Sequence, residues 1–153
     1  MIRKLYIDTS VVGGYYDDEF KEDTRALWSL WESGEYRFCT SEILFQEVTK
    51  APKRVRELAY KTFKEEAQIY HLTEESFELS QKYLEHQVVS SKYADDARHV
   101  AIAAVNGIEL VVSWNFTHMV NVTRNDKFNA VNLLQGSSNV RIISPKMLLN
   151  YED

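Results

Sequence analysis

The stretch "KLYIDTSVVGGYYD" (residues 4–17) decides how the rest of the chain is read. With Arg3 it opens on a short apolar run, "RKLYI" (3–7), which predicts a strand that ends on a carboxylate, Asp8. Thr9 and Ser10 come next, and then a Gly13-Gly14 turn. Farther out, "TRALWSLWESG" (24–34) repeats apolar residues at helical spacing and stops at Gly34. "YRFCT" (36–40) reads as a second strand, and Thr40 or Ser41 can cap a helix in "SEILFQEVTKA" that ends before Pro52. A helix-rich segment (53–66) leads to a third strand, "QIYHL" (68–72), and Thr73 caps a helix over 73–86. "DDARHVAIAAVNG" (95–107) is a helix closed by Gly107, "IELVVS" (108–113) a strand, and "NVRIISP" (139–145) a last strand before a short tail. Strands that alternate with helices require crossover connections, so the expected fold class is α/β, with a mainly parallel sheet and helices on both faces.

The global numbers agree with one domain over residues 1–153, because 153 residues at 44% hydrophobic composition suit a single sizeable core. No stretch approaches the roughly 20 apolar residues of a membrane span, and the N-terminus lacks a secretory layout, so a cytoplasmic protein with no membrane partner is expected. The lone cysteine, Cys39, lies in an apolar run and reads as a buried core thiol. A net charge of −5 argues against gripping nucleic acid through a broad basic surface, while leaving room for a local patch or a metal-mediated contact.

Open parallel sheets bind ligands beyond the carboxyl ends of their strands, which is where Asp8 stands. Its plain alternative is capping of the next turn. Glu47 falls between Ile43 and Leu44 on the helical wheel, inside the apolar arc, where a carboxylate must be paired, protonated or bound to a cation unless it lies on an exposed edge. Asp96 aligns with Val100, Ala103 and Ala104 and points inward, whereas Asp95 shares its side with Arg98 and Asn106; both also complement the helix dipole. His99, near one turn on from Asp96, suits either a carboxylate, a phosphate or a structural bond. In "VVSWNFTH" (111–118) Asn115 stands just past a strand end as an uncharged oxygen ligand or a turn residue.

Taken together, Asp8-Thr9-Ser10, Glu47 in "SEILFQEV", "DARHVAIA" (96–103) and "SWNF" (113–116) resemble a PIN domain across essentially the whole chain, and in particular the ribonuclease toxins of VapBC toxin-antitoxin pairs. The resemblance implies a three-layer α/β/α sandwich and a metal-dependent endoribonuclease whose acidic cluster maps onto Asp8, Glu47 and Asp96. It places Asn115 where the family often has aspartate. It also implies a small antitoxin partner and a homodimer. Charge repulsion points the same way: carboxylates about 4 Å apart repel by roughly 4 kcal/mol per pair at an effective dielectric near 20, so three converging acids need a cation. Oxygen ligands favour Mg²⁺ or Mn²⁺, which activates water for attack on an RNA phosphodiester. Thr9, Ser10 and His99 are candidate phosphate contacts. Arg54, in the basic segment "KAPKRVRELAYKTFK" (50–64), is a candidate for single-stranded or structured RNA, with Tyr15 and Tyr16 as base-stacking residues. Two other classes fit the same residues: a PIN-like module that binds RNA or protein without cutting, and a phosphotransferase using Asp8 as acceptor with Lys146 nearby.

Overall fold

The computed structural model describes residues 2–152 of the chain, so the expected span of 1–153 extends past the described residues by its two terminal positions. Five strands form one sheet in the order β3-β2-β1-β4-β5: β1 (Arg3–Ile7), β2 (Tyr36–Ser41), β3 (Ile69–Tyr70), β4 (Leu110–Val112) and β5 (Arg141–Ile143). Every pairing is parallel, with Tyr6 beside Cys39 on one side and beside Val111 on the other. Among the described residues seven α-helices lie in the crossovers, α1 (Thr9–Gly14), α2 (Lys21–Glu32), α3 (Glu42–Val48), α4 (Lys53–Thr62), α5 (Glu74–Glu85), α6 (Ala94–Val105) and α7 (Val122–Gln135), and an eighth, α8 (Pro145–Glu152), follows β5.

Strand alternation divides the core in two, as a sheet covered on both faces requires. Tyr6, Cys39 and Val111 join Ile43, Tyr83, Ile102 and Phe128 on one face. Leu5, Ile7, Phe38, Leu110 and Val112 join Val11, Leu27, Trp28, Leu44 and Leu58 on the other. The result is the expected three-layer α/β/α arrangement. Cys39 is a core thiol whose burial pushes its pKa up to about 12, far from the range of a nucleophile.

Three elements differ from the sequence reading. Thr9 to Gly14 is a helix, so Gly13 and Gly14 are helical and form no turn. The segment 122–135 is a 14-residue helix where none was expected, and the tail after β5 is a further helix with Pro145 as its first residue. Strand order locates the working end of the molecule. The chain builds outward from β1 to β2 and β3, then crosses back to β4 on β1's other side. That reversal sets the topological switch point at the carboxyl ends of β1 and β4, where the crevice of such sheets usually takes a ligand. Among the described residues no helix is long and apolar enough to cross a membrane.

Candidate active site

The segments that leave the carboxyl ends of β1 and β4 line the crevice. Asp8, directly after β1, is 3% exposed, and its backbone N–H donates to the Val112 carbonyl at 3.2 Å, which ties the ends of β1 and β4 together. Its Oδ1 accepts from the Val11 N–H at 3.3 Å as the N-cap of α1 and from Ser10 Oγ at 2.6 Å. Ser10 Oγ in turn accepts from the Trp114 N–H at 2.9 Å. The capping role and the strand-end placement therefore coexist at Asp8.

Glu47 and Asp96 approach from α3 and α6. Ser41 caps α3, with its hydroxyl accepting from the Ile43 N–H, and this turns the helix so that Glu47 is half-buried. Glu47 Oε1 accepts from Thr9 Oγ1 and from His99 Nε2, each at 2.6 Å. Asp96 is half-buried in the first turn of α6, while Asp95 turns away to pair with Arg98 at 2.8 Å, as the helical wheel predicts. Asn115, two residues beyond Ser113, donates from Nδ2 to Asp96 Oδ2 at 3.1 Å and accepts on Oδ1 from the His118 N–H at 3.0 Å.

The field of these groups is uneven. Burial pushes Asp8 above the ordinary carboxylate range, opposed by the charge of His99 and by hydrogen bonds from Ser10, Ser113 and Val11. Burial, then the charges of Asp8, Glu47 and Asp95, push Asp96 up to about 6, against the pull of His99. At Glu47 burial acts upward, but the bonds from His99 and Thr9 outweigh it and hold the group below its usual value. His99 is held above its ordinary value because Glu47, Asp8 and Asp96 together overcome its burial. Glu47 and His99 thus favour each other's charged forms, beside two carboxylates, Asp8 and Asp96, that burial and mutual repulsion hold toward their protonated forms.

Several expectations change accordingly. Asp8, Glu47 and Asp96 share one field, yet among the described residues no three His, Cys, Asp or Glu side chains are placed to hold an ion together, because Glu47 is drawn to His99 and Thr9. His99, expected as a phosphate contact, is 1% exposed, and its ring nitrogens are engaged by Glu47 and by Tyr6. Asn115 presents its amide donor to Asp96, and its oxygen is committed to the His118 N–H. The hydroxyls of Thr9 and Ser10 are engaged with Glu47 and Asp8. Arg54 lies exposed on α4 with its guanidinium 4.9 Å from the centre of the Tyr16 ring, and Arg25 stands 4.9 Å over Tyr15, so these four form a cationic aromatic patch at the far end of α1 from Asp8.

Sequence reasoning missed Tyr6, whose hydroxyl lies 2.6 Å from His99 Nδ1 and 2.7 Å from Ser41 Oγ. The signal was present in strand alternation, which sends Tyr6 to the α6 face while Leu5 and Ile7 point the other way. It also missed Gly14, where a Cβ would stand 2.7 Å from Trp114 Nε1 and 2.9 Å from Thr24 Oγ1.

Among solved structures the chain is similar to FitAcB from Neisseria gonorrhoeae, at 16% identity and a TM-score of 0.55 over 92% of this chain and 97% of that one. It is also similar to VapBC2 from Rickettsia felis bound to a DNA fragment from their promoter, at 11% identity and a TM-score of 0.57 over 92% and 98%. A third, FitAB bound to an IR36 DNA fragment, matches at 16% identity and a TM-score of 0.52 over 92% and 94%. At these identities the likeness is one of fold. No curated protein sequence matches the chain. A family model described as PIN domain matches residues 5–132, from β1 through most of α7 and across every residue of the crevice, and the chain belongs to the PIN domain family.

Proposed function

We propose that the chain is a Mg²⁺- or Mn²⁺-dependent endoribonuclease that hydrolyses RNA phosphodiesters in the crevice between β1 and β4. The observation that carries this reading is the pair Asp8 and Asp96, two carboxylates brought from a strand end and a helix into one buried field that pushes Asp96 up to about 6. Two such groups fit a small hard cation, since Mg²⁺ keeps several of its waters and is held by one or two carboxylates plus phosphate oxygens of the substrate. Asp8 and Asp96 would hold the ion, with Glu47 beside them. When bound, it supplies a nucleophilic water at neutral pH and offsets charge on the phosphate. Glu47 keeps its negative charge through His99 and Thr9, and Ser10 fixes the orientation of Asp8. Asn115 steadies Asp96 by donating to it. Arg54 and Arg25, with Tyr16 and Tyr15, offer a single strand of RNA a positive aromatic surface on a chain of net charge −5.

The purified chain should cleave single-stranded RNA in Mg²⁺ or Mn²⁺ and leave a 5′-phosphate, and chelator or Asp96→Asn should stop it. Cleavage that persists in chelator, or that yields a cyclic phosphate through the 2′-hydroxyl, would refute a metal-activated water. Asn115→Asp sets a carboxylate where an amide now faces Asp96, which should lower the Mg²⁺ concentration needed for activity.

The second reading is a PIN module that binds RNA or protein without cutting. It is favoured by the same Asn115 amide, which already satisfies Asp96 without an ion. Binding of RNA with unchanged affinity in Asp96→Asn, together with no cleavage by either protein, would select it. By the family resemblance the proposal extends to a small antitoxin and a homodimer, for which the exposed Val122, Leu133, Leu134 and Tyr151 supply apolar surface. Light scattering of the chain alone distinguishes monomer from dimer.

A further inference from the structure

A run of hydrogen bonds through the buried Ser41, Tyr6 and His99 reaches the half-buried Glu47 from the carboxyl ends of β2 and β1. Ser41 Oγ lies 2.7 Å from Tyr6 OH, Tyr6 OH lies 2.6 Å from His99 Nδ1, and His99 Nε2 lies 2.6 Å from Glu47 Oε1. The Tyr6 and His99 rings meet edge-on at 5.5 Å, and both are shut off from solvent. Their neighbours on that face include Cys39, Ile43, Val100 and Ala103. A phenylalanine and a leucine would fill this space with no polar group to satisfy, whereas a phenol and an imidazole carry a desolvation cost that only complete pairing offsets. The pairing is complete. An ionised Glu47 only accepts, so Nε2 carries a proton. A neutral ring then accepts from the Tyr6 hydroxyl on Nδ1, and an imidazolium donates to it; Ser41 complements either direction.

We propose that Tyr6 and His99 are positioning residues for the nuclease reading above, on which this inference rests: Tyr6 fixes the His99 ring, and His99 holds Glu47 by Oε1 so that Oε2 is left for the chemistry beside Asp8 and Asp96. Both bonds to Glu47, from His99 and from Thr9, fall on Oε1, and Oε2 takes no hydrogen bond from the described residues. Histidine χ2 is a broad torsion that packing alone selects weakly, so the bond to Tyr6 is what chooses one ring orientation. A glutamate pinned by one oxygen presents the other without paying rotamer entropy at each turnover.

The test uses the full chain with single-stranded RNA and Mn²⁺. Tyr6→Phe deletes one oxygen and keeps the ring. Loss of such an outer hydrogen bond typically costs about 10-fold to 100-fold, and it should appear in kcat with KM unchanged. His99→Gln restores an N–H donor toward Glu47 and should outperform His99→Leu. In the His99→Gln background Tyr6→Phe should add almost nothing to the loss in kcat, because the group it oriented is gone; a Tyr6 that acted on turnover by a route other than His99 would give additive losses. Wild-type kcat in Tyr6→Phe, or additive losses, would overturn the positioning role. A readout independent of turnover is the ¹⁵N spectrum of histidine-labelled chain. Tyr6→Phe should move the His99 Nδ1 resonance and Glu47→Gln the Nε2 resonance, and unmoved resonances would overturn the hydrogen-bond run itself. If the wild-type chain cuts no RNA, the nuclease reading falls and the positioning role with it, an outcome distinct from a cleaving enzyme indifferent to Tyr6.

Discussion

At the scale of single residues the crevice holds carboxylates whose contributions to stability have opposite signs. Asp96 binds its proton more tightly in the folded chain, with its pKa up to about 6, than in the unfolded chain at an ordinary value near 3.8. The folded state therefore binds more protons between those two values, and stability falls as pH rises through that window. The penalty at neutral pH is on the order of 3 kcal/mol. Asp96→Asn should remove it, so the variant should melt several degrees higher than the parent at pH 7.5 in chelator. At pH 4 the two melting temperatures should converge; a variant that melts lower at pH 7.5 would contradict the burial of Asp96 charge. Glu47 behaves in the reverse sense. Its pKa is depressed, so its stabilising pair with His99 is present above the unfolded value and is lost as pH falls through the folded one. His99 bounds the same pair from above, because its raised pKa makes the imidazolium's contribution disappear as pH climbs through the folded value. Asp8, Glu47 and Asp96 were legible in the sequence because a carboxylate at a strand end or on an apolar helix arc conflicts with its surroundings. The preference of Glu47 for His99 over its fellow acids was not, since it depends on the distance between α3 and α6.

Among the elements, α1 shows how a two-residue reading goes astray. Gly13 and Gly14 together signal a turn, yet both are helical and they serve different ends. Nothing lies within 4 Å of a Cβ added at Gly13, whereas one at Gly14 falls 2.7 Å from Trp114 Nε1, the atom that donates to Thr24 Oγ1 at 2.9 Å. Gly13→Ala should thus be neutral or stabilising by up to about 1 kcal/mol through helix propensity. Gly14→Ala should cost roughly 1–3 kcal/mol by overpacking and should displace Trp114, which precedes Asn115. Melting curves and tryptophan fluorescence separate the two; equal behaviour would mean that α1 does not pack on Trp114. Helix α7 was hidden for a different reason. Its inward positions carry Asn125 and Asn129, whose amides act as an extra strand for β5: Asn129 donates to the Val140 carbonyl at 2.8 Å and accepts from the Val140 N–H at 2.8 Å, and Asn125 accepts from the Ile142 N–H at 2.7 Å. With asparagines facing the edge strand, Phe128 and Val131 are left as the buried apolar residues of α7, too short a stripe to read, and the exposed Leu133 and Leu134 blur the pattern further.

For the molecule as a whole, strand order decides where the charge sits. The strand-helix alternation was legible because each buried parallel strand is a compact apolar run bounded by caps. The reversal between β1 and β4 was not, since nothing in either strand states which neighbour it takes. That reversal joins residues far apart in the chain: Asp8 after β1, Asp96 at the head of α6 and Asn115 after β4. An ion held by Asp8 and Asp96 would therefore tie the opening strand to the element that precedes β4 and would bind only the folded chain. Ligand present at about 100 times its dissociation constant then adds roughly 2.7 kcal/mol. At about 2–4 °C per kcal/mol for a chain of this size, Mg²⁺ or Mn²⁺ should raise the melting temperature by roughly 5–10 °C. The double variant Asp8→Asn with Asp96→Asn should melt at one temperature with or without metal. A cation that merely screened the net charge of −5 would act equally on both proteins, and Ca²⁺ or added NaCl at matched ionic strength would reproduce it. Equal shifts in parent and double variant, or no shift in either across millimolar metal, would therefore exclude these two carboxylates as the holders of an ion.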